Sequence, residues 1–309
     1  MKLSTFLEKY YQKLLSKKTK ESSERVILWI ALASYIIHLF IIELIHFNII
    51  SISEPSDLLE NPIAAIYTPF SFILVYEVYL LIYYLPKSTS TYISKQYEII
   101  ALIIIRRLFK DLSHLSLSSN WFNSTNDLQF TYDLVASVLL FFLIYLFHIQ
   151  RTKVYKTIEN NKNHYLSITK FIKAKKWIAT ALVPVLVIIA IYSFLNWSIG
   201  IFQPLETNAI SFKNINNIFF EQFFNILITA DVILLLFSFF HTDEFHKVIR
   251  NSGFLISTIL IRISFSVSGI INNILIISAI LFGLFMLFIH NKFEKQLAKE
   301  SEEGHVMEE

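Results

Sequence analysis

Among the charged residues inside stretches that are otherwise apolar, five are where chemistry would begin: Glu77, Arg106, Arg107, Asp231 and Arg262. A buried acid can exchange protons or hold a cation, and a buried guanidinium attracts anions. A charge at the centre of a membrane helix costs about 2.5–3.5 kcal/mol on insertion scales, so such residues face a partner or water. In one arrangement Glu77 pairs with Arg107 and Asp231 with Arg262, each pair fixing helix order. In the other, the same side chains line a hydrated path. Two adjacent arginines against one glutamate leave a surplus of positive charge, which favours an anion or a second acid over a closed ion pair. Arg106 and Arg107 point about 100° apart on a helix, so they need not share a partner.

A second polar group is His38, Glu43 and His46, with Glu43 and His46 about one helical turn apart. A histidine and a carboxylate on one face can pass a proton, and the same residues also suit a bundle-facing or interfacial position. The string HTDEFH, His241 to His246, has metal-ligand side chains, but its histidines are five apart. A zinc-binding HExxH needs them at i and i+4. That string reads as a solvated turn, and His148 and His290 read as headgroup-zone residues. No metal or cofactor is expected. The chain has no cysteine, which removes disulfides and thiolate chemistry. It has no P-loop and no GxSxG elbow, so an enzyme is not expected. A voltage sensor would need a longer basic series than Arg107 and Lys110.

The elements that must carry these residues follow from composition. Of 309 residues 54% are hydrophobic and only 17% charged, with a mean hydropathy of +0.53. A water-soluble domain carries roughly a quarter of its residues as charges, so soluble enzymes and nucleic-acid binders are excluded. Apolar runs at residues 26–49, 63–85, 97–116, 131–150, 177–199, 222–241, 253–270 and 272–291 each have the ~17–25 residues needed to cross hydrocarbon as a helix. Short loops rich in Lys and Arg stay in the cytoplasm. With eight spans, all Lys and Arg outside them fall on one side except Lys213, while Glu54, Asp57, Glu60, Asp127 and Glu206 lie opposite. Both termini are therefore expected in the cytoplasm, in a multi-pass protein of the cell inner membrane. Pro69 and Pro184 fall within spans, where proline kinks a helix. Asn123-Ser124-Thr125 matches a weak glycosylation sequon in an outer loop.

The spans also repeat. Trp29-Ile30-Ala31 matches Trp177-Ile178-Ala179; Glu77 falls opposite Asp231 and Arg107 opposite Arg262; and Leu139 to Phe147 matches Ile280 to Phe288. Leu3, Phe6, Leu7, Tyr10, Tyr11, Leu14 and Leu15 form an amphipathic stripe with lysines opposite, suited to the membrane surface. Tyr165, Ile168, Phe171 and Ile172 form a looser one. The expected fold is all-α, with eight transmembrane helices as two parallel four-helix repeats. The boundaries are a basic amphipathic helix at 1–25, repeat A at 26–150, a basic linker with an amphipathic helix at 151–176, repeat B at 177–291 and an acidic tail at 292–309. Four spans per repeat give both repeats the same orientation, an arrangement used by transporters with sites near the midplane.

The function expected from these residues is a membrane channel or transporter for a small ion or solute. The alternative is a non-transporting membrane scaffold, assembly factor or signalling partner. The partners expected are the lipid bilayer and anionic lipid at the cytoplasmic face, with no nucleic acid; the architecture is compatible with a homo-oligomer.

Overall fold

Backbone groups inside hydrocarbon must bond to each other, which leaves long apolar runs little choice but helix. The computed structural model describes residues 2–49, 62, 64–112, 125–153, 162–202, 212–239, 244–267 and 269–306, and every regular element among them is helical. In chain order these are α1 (Lys2–Leu14), α2 (Lys17–His46), α3 (Tyr67–Tyr84, entered through a short turn at Ala64–Ile66), α4 (Thr89–Leu112), α5 (Thr125–Arg151), α6 (Lys162–Phe202), α7 (Phe212–Phe239), α8 (Phe245–Ser264) and α9 (Ile270–Val306). Ser16 separates α1 from α2 by capping: its hydroxyl oxygen accepts from the Thr19 N–H at 3.1 Å, satisfying one of the orphan donors of a helix start.

Among the described residues five stretches are long and apolar enough to cross a membrane: Glu8–His46, Asp127–Arg151, Thr169–Tyr192, Gln222–Phe239 and Ile270–Glu300. The described residues are thus all-helical and compatible with a multi-pass membrane protein. The apolar part of α3, Thr68–Tyr84, is shorter. α4 and α8 carry charges along their lengths, Arg106 and Arg107 in one and Lys247, Arg250 and Arg262 in the other. Large apolar side chains such as Trp29, Phe40 and Val138 stand exposed on α2 and α5, as lipid-facing residues do.

One local expectation changes. Pro69 lies in the first turn of α3, where its missing N–H is one of the unpaired ones anyway, so it starts a helix and does not kink a span. The basic stretch before the fifth predicted span is helical from Lys162, and α6 continues from there through Pro184 to Phe202. The acidic tail is helical as far as Val306. Its residues are good helix formers, with Gln296 Nε2 donating to Glu300 Oε1 one turn on at 3.1 Å. The acids Glu54, Asp57, Glu60 and Glu206, the sequon residues Asn123 and Ser124, and His241 to Asp243 lie outside the described residues.

The helices form two compact units, Met1–Tyr83 with Glu98–Val138, and Tyr84–Tyr97 with Leu139–Glu309. In the first, tyrosines of α3 tie down the chain's start: Tyr79 donates to the Leu14 carbonyl and Tyr76 to Glu24 Oε2, each at 2.8 Å. Leu74, Val78 and Ile104 are buried beside them. In the second, α6, α7, α8 and α9 pack in succession. Phe147 of α5 meets Tyr97 edge-on at 5.0 Å and Phe254 at 5.9 Å. Ser257 of α8 donates to the Ala279 carbonyl at 2.7 Å and shares a 2.8 Å bond with the Tyr97 hydroxyl.

Candidate functional site

In the first unit Glu77, Arg106 and Arg107 each have an oppositely charged partner. Arg106 of α4 donates from Nη2 to Glu77 Oε2 of α3 at 2.9 Å, with both side chains about 95% buried. The Phe70 ring lies 5.8 Å from the guanidinium carbon, while Arg106 Nε is buried without a hydrogen-bond partner. Arg107 forms a two-point pair with Asp133 of α5, Nη2 to Oδ1 at 3.0 Å and Nε to Oδ2. Gln129 adds a donor to Asp133 Oδ1 at 2.7 Å. The surplus positive charge is therefore met by a second acid. Glu77 takes Arg106 as its partner, not Arg107, because Arg107 is turned about 100° away toward α5.

His38 bonds through Nδ1 to the Thr68 hydroxyl at 2.5 Å, joining α2 to the start of α3. Glu43 and His46 are both exposed and make no bond to each other. The structure thus brings none of these three together.

In the second unit the arrangement is different. Asp231 of α7 has no cation in ion-pair contact among the described residues. Its Oδ2 accepts from the Tyr92 hydroxyl at 3.3 Å and from Gln96 Nε2 at 3.4 Å, two residues one turn apart on α4. Gln96 Oε1 in turn accepts from the Thr258 hydroxyl of α8 at 2.8 Å. Burial, and then the Asp231 carboxylate, hold the Tyr92 hydroxyl well above the usual phenol range, so it stays a donor. Arg262 lies elsewhere, donating to Asn225 Oδ1 at 2.9 Å and Ser266 Oγ at 3.3 Å. The expected Asp231–Arg262 pair does not form.

Asp231 lines a small cleft that is about half open to the outside. Lys175 of α6 lines the same cleft, its ammonium donating to the Lys87 carbonyl at 3.1 Å and to Thr89 Oγ1 at 3.3 Å, with the Phe171 ring 5.0 Å away. Ser238, Asn251 and Thr258 supply further polar atoms, and Leu234, Phe254 and Leu255 much of the apolar wall.

The sequence itself differs at the places concerned. In the alignment that puts Arg107 opposite Arg262, Arg106 falls opposite Ile261. In the one that puts Leu139 opposite Ile280, Asp133 falls opposite Ile274. At these positions the second half carries apolar residues, and Asp231 and Arg262 are met by neutral donors and acceptors. Tyr92, Gln96, Lys175, Thr258 and Asp133 were not singled out from sequence. Only Asp133 left a signal there, as an acid within the fourth predicted span that balances the arginine surplus. No family model matches the chain, and no curated protein and no solved structure is significantly similar to it.

Proposed function

We propose that the protein is a channel or transporter for a small ion or solute, with Asp231 at its working site. The observation that carries this reading is the Asp231 and Lys175 cleft. A carboxylate held by neutral donors beside open space can take up and release a cation or proton, whereas a carboxylate locked to arginine cannot do so without breaking the pair. The small size of the cleft suits an ion or a proton. The cleft reaches from the turn around Lys87 to Asp231, midway along the apolar part of α7. With eight spans in two parallel repeats and cytoplasmic termini, that turn lies at the cytoplasmic surface of the inner membrane, and the lysines there face anionic lipid. Glu77, Arg106 and Arg107 serve this reading as fixed supports.

The scaffold, assembly-factor or signalling reading draws on the first unit, whose two closed ion pairs, Glu77–Arg106 and Arg107–Asp133, fix helix order. Flux separates the two. In proteoliposomes loaded and diluted to set ion or pH gradients, the native chain is expected to carry a flux that empty vesicles lack. Asp231→Asn, which keeps the side chain's shape, is expected to cut that flux by at least about tenfold, a loss of roughly 1.4 kcal/mol or more. A native flux that survives Asp231→Asn unchanged removes this site, and no flux of any common ion or solute leaves the scaffold reading.

A further inference from the structure

The start of α8 and the far half of α9 bring together side chains with another chemistry. His246, His290 and Glu294 have donor atoms that all lie within 4.8 Å of one another. His290 and Glu294 are one turn apart on α9, the spacing that sets two ligands over one point of a helix face. His246 comes from the first turn of α8, its ring stacked on that of His290 with centroids 5.1 Å apart. Glu244, at the N-cap of α8, makes no capping bond with its side chain and turns toward His246. His246 Nε2 is 2.9 Å from Glu294 Oε1 and 3.2 Å from Glu244 Oε2, and His290 Nε2 is 3.8 Å from Glu294 Oε1. Ligands at ~2.0–2.2 Å from a tetrahedral ion stand about 3.3–3.6 Å from one another. The observed separations straddle that range.

We propose that His246, His290, Glu294 and Glu244 form a binding site for a divalent transition-metal ion of the zinc class. Two imidazoles and two carboxylates suit zinc and its neighbours better than magnesium or calcium, which prefer oxygen alone. The two carboxylates balance the charge of the ion. Lys247 Nζ holds the outer oxygen of Glu244, Oε1, at 2.5 Å and leaves Oε2 toward the site. Without metal, Arg250 Nη1 donates to His290 Nε2 at 2.8 Å, which requires the His290 proton on Nδ1 and leaves an Nε2 lone pair pointing where a ligand needs one. The remaining donors of Arg250, Nε and Nη2, are fixed on Asn251 Oδ1 at 3.2 and 3.1 Å. Arg250 Nη1 is thus a placeholder that the ion must displace, and the ion also replaces the Nε2 proton that His246 shares with the two glutamates. Both histidines are buried, while Glu294 and Glu244 are partly exposed, which gives an ion its way in. The site is separate from the Asp231 cleft and stands or falls independently of transport.

The test uses the full chain in detergent, without a polyhistidine tag, stripped by chelator and titrated with Zn2+ alone. One equivalent is expected to bind and to raise the melting temperature. Glu294→Gln and His246→Asn are expected to weaken binding by at least about tenfold, and Arg250→Gln, which removes the competitor, to tighten it. In the native protein Co2+ is expected to give the intense visible bands of a tetrahedral site, a readout that needs no variant to fold. Absent Zn2+ binding, Zn2+ affinity unchanged in both ligand variants, weaker binding in Arg250→Gln, or a pale octahedral Co2+ spectrum would each overturn the proposal.

Discussion

Removing one member of a buried ion pair strands the other, and the first unit offers a clear place to measure it. Glu77→Gln leaves the Arg106 guanidinium buried with its charge unanswered, and is expected to cost about 3–5 kcal/mol in detergent unfolding. Glu77→Leu together with Arg106→Leu is expected to stay closer to native than Glu77→Gln alone, since no stranded charge remains. A double variant as damaged as the single one would mean that the pair's packing, not its charge, holds α3 against α4. At this scale the sequence was partly readable. Two arginines against one acid announced a missing partner, but Asp133 is 26 residues beyond Arg107, and a helix's own register says nothing about which neighbour it faces. The partners of Asp231 were less readable still: Tyr92, Gln96 and Thr258 are neutral residues whose types carry no signal until α4, α7 and α8 meet.

Helices α8 and α9 approach closely because two positions lack a side chain. A Cβ at Gly283 of α9 would collide with the Tyr97 hydroxyl and lie 3.3 Å from Ser257 Oγ, and one at Gly253 of α8 would press on Met286. Small residues at such crossings let membrane helices come together without a hydrophobic drive. Gly283→Ala is therefore expected to destabilise by about 1–3 kcal/mol, read as a lower melting temperature. Tyr97→Phe in the same background is expected to recover part of the loss by removing the hydroxyl, a coupling that a double-mutant cycle measures. Additive losses would show that the two side chains do not meet. The existence of most helices was evident from apolar length alone, but their ends were not. The continuation of α6 upstream to Lys162, and of α9 to Val306, depends on local helix propensity in polar sequence, which hydropathy does not register.

For the whole molecule, the absence of cysteine makes sidedness directly measurable. Single substitutions Ser4→Cys and Ser301→Cys are expected to resist a membrane-impermeant maleimide in intact cells and react after permeabilisation, whereas Lys213→Cys is expected to react from outside. Labelling of either terminus in intact cells would overturn the eight-span arrangement. What the sequence determined alone is whatever depends on a run of neighbouring residues: membrane class, helical fold, the approximate place of each apolar segment and the uneven distribution of lysine and arginine. Which charges are neutralised, that Asp231 rests on neutral donors beside a cleft, and that His246 meets His290 and Glu294 were decided only by tertiary structure. The physical reason is that a charge's surroundings are set by the rotation and crossing of separate helices. A carboxylate on an apolar helix is therefore locked to an arginine in one place, as Glu77 is, and left beside a cleft in another, as Asp231 is.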